Sequence, residues 1–180
     1  MSKPIQRYTG DVALSRDEYN KLLAAATTLE DRLMLMVGAS LGLRRSDLSR
    51  IRLENINFDK HELMYLEKKK KDRARSVPIP PKLETELKLF MKEQKRKSGP
   101  IFSCTDRQLW NRFAAICDAA GVERRPVHAL RSTCVSFLMD ADFSVAEAAK
   151  ILGDNESTVF KHYISQTSSY LNEKMRKVEL

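Results

Sequence analysis

Leu63-Met-Tyr-Leu-Glu-Lys-Lys-Lys-Lys-Asp-Arg-Ala-Arg-Ser-Val-Pro-Ile79 interrupts a chain whose spacing is otherwise mostly helical. Two short runs of strand-forming residues, Leu63 to Leu66 and Ser76 to Ile79, flank a block dominated by Lys and Arg between Lys68 and Arg75. This order reads as a β-hairpin with a basic tip. Pro78 cannot donate to a strand ladder, so the second run belongs near a sheet edge.

Upstream of the hairpin, Leu33 to Leu43 is nearly all apolar and reads as a buried helix. It ends at Gly42-Leu43-Arg44-Arg45, and Ser46 is placed to cap a short helix carrying Leu48 and Ile51. Earlier still, Ser15-Arg-Asp-Glu18 is a capping box, followed at helical spacing by Tyr19, Leu22, Leu23 and Ala26. Residues 1–13 read as a linker or N-terminal arm.

Downstream, Pro80 and Pro81 open a helix with Leu83, Leu87, Phe90 and Met91 on one side. Thr105-Asp-Arg-Gln108 is a second capping box, and Gly121 closes the helix that it starts. His128 to Met139 reads as one helix. Ser144-Val-Ala-Glu147 caps another that ends at Gly153, and a short one leads to Tyr163. Residues 168–178 read as a terminal helix with Tyr170, Leu171, Met175 and Val178 on its apolar side. The sum is an α+β domain over residues 14–180, predominantly helical with a small antiparallel β-hairpin or sheet.

With 180 residues and 42% hydrophobic content, the chain can bury one ordinary core. No apolar run reaches the roughly 18 residues that span a bilayer, and the first residues lack a secretory-signal pattern. A cytoplasmic location is therefore expected. The three cysteines fit no zinc spacing; Cys117 and Cys134 fall among apolar helix residues, as small hydrophobes do. A net charge of +8 favours a polyanionic partner. The charge is clustered in the hairpin block and in a second block, Lys92, Lys95, Arg96 and Lys97. A solvated face explains one such block equally well. A membrane surface explains it less well, because neither block sits on a helix with a bulky apolar opposite face.

His128-Ala-Leu-Arg131 places an imidazole and a guanidinium on one helix face, a pairing that many structural helices share. Arg44 follows a buried helix, so its stem starts from a rigid element. Two arginines held in that way can grip one phosphate with forked hydrogen bonds. The alternative for Arg44 is an ion pair with Asp47 or Glu54.

Three segments then carry a resemblance to the tyrosine recombinases, the phage-type integrase family. Leu41-Gly-Leu-Arg-Arg-Ser-Asp-Leu48 resembles the family's Thr-Gly-Leu-Arg-Ile-Ser-Glu-Leu, and His128-Ala-Leu-Arg-Ser-Thr133 its His-x-x-Arg-His-Thr box. Leu152-Gly-Asp-Asn-Glu-Ser-Thr-Val-Phe-Lys-His-Tyr163 is similar to the segment in which a tyrosine follows Leu-Gly-His by nine residues. The basic hairpin running into Arg75-Ser-Val-Pro-Ile79 resembles the strand pair that presents the family's lysine. The likeness covers roughly Leu14 to Tyr170.

The resemblance implies the catalytic fold of that family and metal- and ATP-independent site-specific strand exchange through a 3′-phosphotyrosyl intermediate. It makes Arg44 and Arg131 the phosphate-binding pair, with His128 beside them as donor or proton acceptor and Tyr163 as nucleophile. Lys70, five residues before Arg75, is the proton donor, with Lys69 and Lys71 as alternatives. Asp47 takes the acidic position that buttresses the His and Arg, and Lys69, Lys71, Arg73 and Arg75 are expected on DNA. No cofactor or metal is implied, and the chain lacks a phosphate-binding Gly-x-x-x-x-Gly-Lys-Ser/Thr loop.

Double-stranded DNA is the implied partner, bound by a homo-tetramer on paired sites formed from free monomers. Residues 168–180 are the segment expected to dock on a neighbouring protomer, with Tyr170 packing there rather than acting as nucleophile. One position departs from the family: Asp154 stands where it usually has His or Trp. An ionised carboxylate cannot donate to a phosphate and would repel it. Either Asp154 pairs with a neighbouring cation or activity is reduced. A catalytically impaired DNA-binding member is therefore one rival reading, and a type IB topoisomerase-like relaxing enzyme another.

Overall fold

The structure is a computed structural model that describes residues 13–164 together with Met175 and Arg176. The described chain runs α1 (Arg16–Ala25), α2 (Leu29–Leu41), α3 (Arg45–Leu48), β1 (Ile56–Asn57), β2 (Glu62–Glu67), β3 (Arg73–Pro78), α4 (Pro81–Glu93), α5 (Asp106–Ala119), α6 (His128–Asp140), α7 (Val145–Leu152) and α8 (Glu156–Ile164). This is the expected α+β architecture. The arm expected over 1–13 lies outside the described residues except for Ala13. The terminal helix expected over 168–178 does so except for Met175 and Arg176.

α2 is the central helix. Its residues Leu33 to Ala39 and Leu41 are all buried, as a helix apolar on every side must be. It starts four residues before the apolar run, because Thr28 accepts from the backbone N–H of Asp31 at 3.1 Å and caps the first turn. Gly38 lets α6 come close: a Cβ there would lie 2.9 Å from Leu130 Cβ. α2 stops at Gly42, whose φ of 60° is the left-handed conformation that favours glycine.

The expected cap of the next helix is corrected. α3 begins after Arg44 with no side-chain capping bond, and Ser46 lies inside it. The Ser46 hydroxyl instead faces Asp47 Oδ1 at 3.4 Å.

The hairpin carries an additional strand. β1 pairs antiparallel with β2, and β2 with β3, in the order β1-β2-β3. Pro78 lies on edge strand β3, opposite Glu62. In β2 the inward residues Leu63, Tyr65 and Glu67 are buried while Met64 and Leu66 are exposed, the period-two pattern of a one-faced sheet. The tip is a 3-10 turn over Lys68–Lys70 followed by Lys71 and Asp72, both at positive φ.

Two apolar clusters share α6. One joins α1, α2, α4, α5 and the inner face of the sheet, and takes in Leu130. The other joins Cys134, Val135 and Met139 to Ala148, Ala149 and Leu152 of α7 and Val159 of α8. Arg131 lies between them in sequence. Burial pushes the Cys134 thiol up to about 12 and raises Cys117 as well, in keeping with packing roles for both. No helix among the described residues is long and apolar enough to cross a membrane.

Candidate active site between two helix ends and a basic hairpin

Five segments from distant parts of the chain converge on one cavity of about 530 Å³, lined by Arg44, Arg45, Ser46, Lys69, Asp106, Pro126, Val127, His128, Arg131, Asp154 and Thr158. Each is delivered by a rigid end. Arg44 follows the Gly42 turn that ends α2. His128 and Arg131 lie on the first turn of α6, one helical step apart. Asp154 follows Gly153, the left-handed cap of α7, and Thr158 belongs to α8.

Arg131 is 4% exposed. Its guanidinium donates to the carbonyls of Gly42 and Leu152 (3.0 Å to the latter) and to Asp154 Oδ2 at 2.7 Å. The two carbonyls come from the ends of α2 and α7, where backbone acceptors have no partner within the helix and the helix dipole is negative. Burial lowers the pKa of Arg131, and the hydrogen bond that it donates to Asp154 works against that shift. An arginine in this setting still carries its charge at neutral pH.

Arg44 makes neither of the ion pairs weighed from sequence. Its Nη1 donates to Glu67 Oε1 at 2.9 Å, and its Nη2 lies 3.6 Å from Asp154 Oδ2. Reasoning from sequence missed Glu67, which is 1% exposed at the end of β2. The signal was present: Glu67 continues the inward series of Leu63 and Tyr65.

Asp154 is thus the shared counter-ion of Arg44 and Arg131, hydrogen-bonded to Arg131 and ion-paired with Arg44. Burial raises its carboxyl, but the hydrogen bond and charge of Arg131, with the charge of Arg44, outweigh that and hold it below the usual range. Two guanidiniums aimed at one carboxylate oxygen show where both would meet an anion.

The lysines divide. Lys69 lines the cavity. Lys70 Nζ donates to Gly153 O at 2.9 Å and lies 3.7 Å from Glu67 Oε2, on the adjoining side of Asp154. Lys71 and Arg73 are exposed at the tip. The Arg75 guanidinium is turned inward and donates to the carbonyls of Lys150 and Ile151 (2.9 Å to the latter), so it ties the hairpin to the end of α7.

Asp47 is buried, and its Oδ1 accepts from the backbone N–H of Lys68 at 3.0 Å, so it fixes the start of the tip. Tyr163 falls in the last turn of α8, the helix whose Thr158 borders the cavity. The side chains of His162 and Tyr163, and the whole of Tyr170, lie outside the described residues. No group of His, Cys, Asp and Glu among the described residues is arranged to hold a metal ion.

The model of the phage integrase family matches residues 13–169. The chain belongs to the phage integrase family. Among its relatives are the tyrosine recombinases XerA of Pyrococcus horikoshii, 24% identical over 177 residues, and of Thermococcus kodakarensis, 25% identical over 179. Each alignment takes in 93% of this chain but 61% and 63% of the relative, so the chain spans about three-fifths of their length.

Solved structures of integrase-family proteins share the fold. A crystal structure of XerA recombinase superimposes with a TM-score of 0.78 at 17% identity, over 98% of this chain and 65% of that one. XerH site-specific recombinase in a post-cleavage complex with its difH substrate gives 0.70 at 19%, over 91% and 52%. These likenesses bear out the α+β fold, and the family model bears out the resemblance.

Proposed function

We propose that this chain is the strand-transfer domain of a site-specific DNA recombinase. The observation that carries the reading is the convergence of Arg44 and Arg131 on one anionic oxygen, in a cavity shared with His128 and bordered by α8. A scissile phosphate takes the place that Asp154 Oδ2 now holds, and the two forked donors stabilise charge on its oxygens as a fifth ligand approaches phosphorus.

Tyr163 Oη attacks phosphorus as the bond from phosphorus to the 5′-oxygen breaks. The phenolic proton passes to His128 or water, and a hairpin lysine, Lys70, protonates the departing oxygen. The products are a 3′-phosphotyrosine and a free 5′-hydroxyl. A phenol has a pKa of about 10, so attack at neutral pH depends on this cluster of cations. Rejoining reverses each step, so no nucleoside triphosphate is consumed. The DNA-bound relatives support DNA as the substrate. A λ integrase tetramer on a Holliday junction supports assembly of four protomers on DNA; that they assemble on paired sites from free monomers is part of the proposal.

A second reading has its own observation. Asp154 already satisfies the donors that a phosphate needs, as it would in a DNA-binding member that has lost cleavage. A covalent adduct separates the two. Nicked duplexes tiled across the DNA flanking the coding sequence should yield an SDS-resistant protein–DNA band with the wild type and none with Tyr163→Phe. A band that survives the substitution would move the nucleophile elsewhere. Salt-sensitive binding without any band would favour the non-cleaving reading.

A further inference from the structure

Glu67 is a buried carboxylate with two cationic neighbours that belong to different steps of the proposed reaction. Arg44 lies 2.9 Å from Oε1 and Lys70 3.7 Å from Oε2. The side chain is 2% exposed. A charge so placed is costly unless compensated by well-placed partners. Every element around it contributes to holding it. β2 aims it inward, the Asp47 carboxylate fixes the next residue's N–H, and Gly153 lies over it. A Cβ on Gly153 would come within 2.9 Å of Glu67 Oε1 and would collide with the Arg75 guanidinium. Arg75 and Asp47 are thus further charged groups near this carboxylate, and the Arg75 guanidinium is engaged by the Lys150 and Ile151 carbonyls.

We propose that Glu67 is a positioning residue that sets the phosphate-binding Arg44 and the proton-donating Lys70 on one fixed anion. This rests on the strand-transfer reading above. Arg44 follows the Gly42 turn at the end of α2, and Lys70 sits in a 3-10 turn at a hairpin tip; these turns fix the backbone, and the long side chains they present are oriented by what they bind. One carboxylate with an oxygen for each couples the two cations across the cavity wall. When a phosphate displaces Asp154, Glu67 keeps Arg44 oriented, because its bond uses Nη1 and leaves Nη2 for the incoming anion. Lys70 is kept within reach of the departing oxygen while it exchanges its bond with Gly153 O.

The test is adduct formation in a single turnover at saturating nicked duplex, from the same tiled set, with Glu67→Gln and Glu67→Asp. Glu67→Gln should slow it by about 10- to 100-fold while the DNA dissociation constant stays within about threefold, the pattern of an interaction used in the transition state rather than in binding. Glu67→Asp keeps the charge on a shorter stem and should fall between. A 5′-bridging phosphorothiolate, whose thiolate leaves without a proton, should recover part of the Glu67→Gln loss, namely the part that acts through Lys70.

A purely structural role predicts a lower melting temperature with an unchanged rate per folded molecule and no thiolate recovery; that result would overturn the proposal. Should Glu67→Gln not fold, a Glu67→Asp rate equal to wild type would overturn it as well. A wild type that forms no adduct removes the underlying reading, whereas a wild-type adduct with an indifferent Glu67→Gln removes this inference alone.

Discussion

A carboxylate held by Arg44 and Arg131 competes with any phosphate for the same donors, and its proton does not release it. The Asp154 carboxyl is depressed, so it stays ionised at neutral pH. A depressed carboxyl gives stability that is present above its unfolded pKa of about 4 and lost as pH falls through the folded value. Asp154→Asn should therefore be less stable than wild type by about 1 kcal/mol at pH 7, with the gap closing below about pH 4. Acid unfolding followed by circular dichroism would show it; a gap that persisted at low pH would contradict the assignment.

Asp154→His should leave cleavage unchanged or raise it, and a large loss of adduct would mean that the carboxylate has a constructive role. At this scale the sequence exposed Arg44, His128, Arg131 and the anomaly of Asp154, because each stands in a recognisable motif. It did not expose the pairing of Arg44 with Glu67, because a contact across 23 residues depends on how the hairpin docks, which no local pattern records.

Between elements, the spacing of α2 and α6 decides where the two arginines stand. Gly38 permits the approach, and the obstacle to a larger residue includes Leu130 Cβ, which cannot swing aside as a chain end can. Gly38→Ala gains roughly 1 kcal/mol of helix propensity but forces α6 outward, at a cost of about 1–3 kcal/mol. Net destabilisation is expected in urea unfolding, with slower adduct formation because Arg131 moves with α6. A more stable variant would show that α6 yields without strain.

The helices were legible from their periodicity and caps: the Ser15, Thr105 and Ser144 boxes all form as reciprocal pairs. Two features were not. β1 is only two residues long, too short for alternation to show. The first turn of α2 is polar, and its Thr28 cap precedes the apolar run by several residues.

For the whole molecule, the charge of +8 is unevenly committed. Lys71 and Arg73 project from the tip, whereas Arg75 is spent on helix carbonyls. Lys71→Ala and Arg73→Ala should each weaken binding to duplex DNA and lower the slope of log affinity against log salt by about one. Arg75→Ala should change that slope less and instead lower the stability by about 1–2 kcal/mol, since it leaves two helix-end carbonyls without their donor. Filter binding across a salt series, beside thermal melts, separates the two outcomes. An Arg75 slope effect equal to that of Arg73 would mean that the hairpin lifts from α7 on DNA. Clustered basic residues were plain in the sequence; which of them face outward was not, because Tyr65 pairs with Arg75 only once the strand register is known.

The two backbone carbonyls that grip Arg131 have a bearing on descent. They end α2 and α7, and a buried cation there is as useful to folding as to chemistry. A lineage that abandoned cleavage would shed its tyrosine freely, yet would still lose stability by giving up this arginine. Retention of Arg131 is therefore a poor marker of a working enzyme among diverged copies. On the proposed mechanism Arg44, partly open to the cavity and held among the described residues by the side chains of Glu67 and Asp154, is the better marker: its replacement would cost activity with less loss of fold.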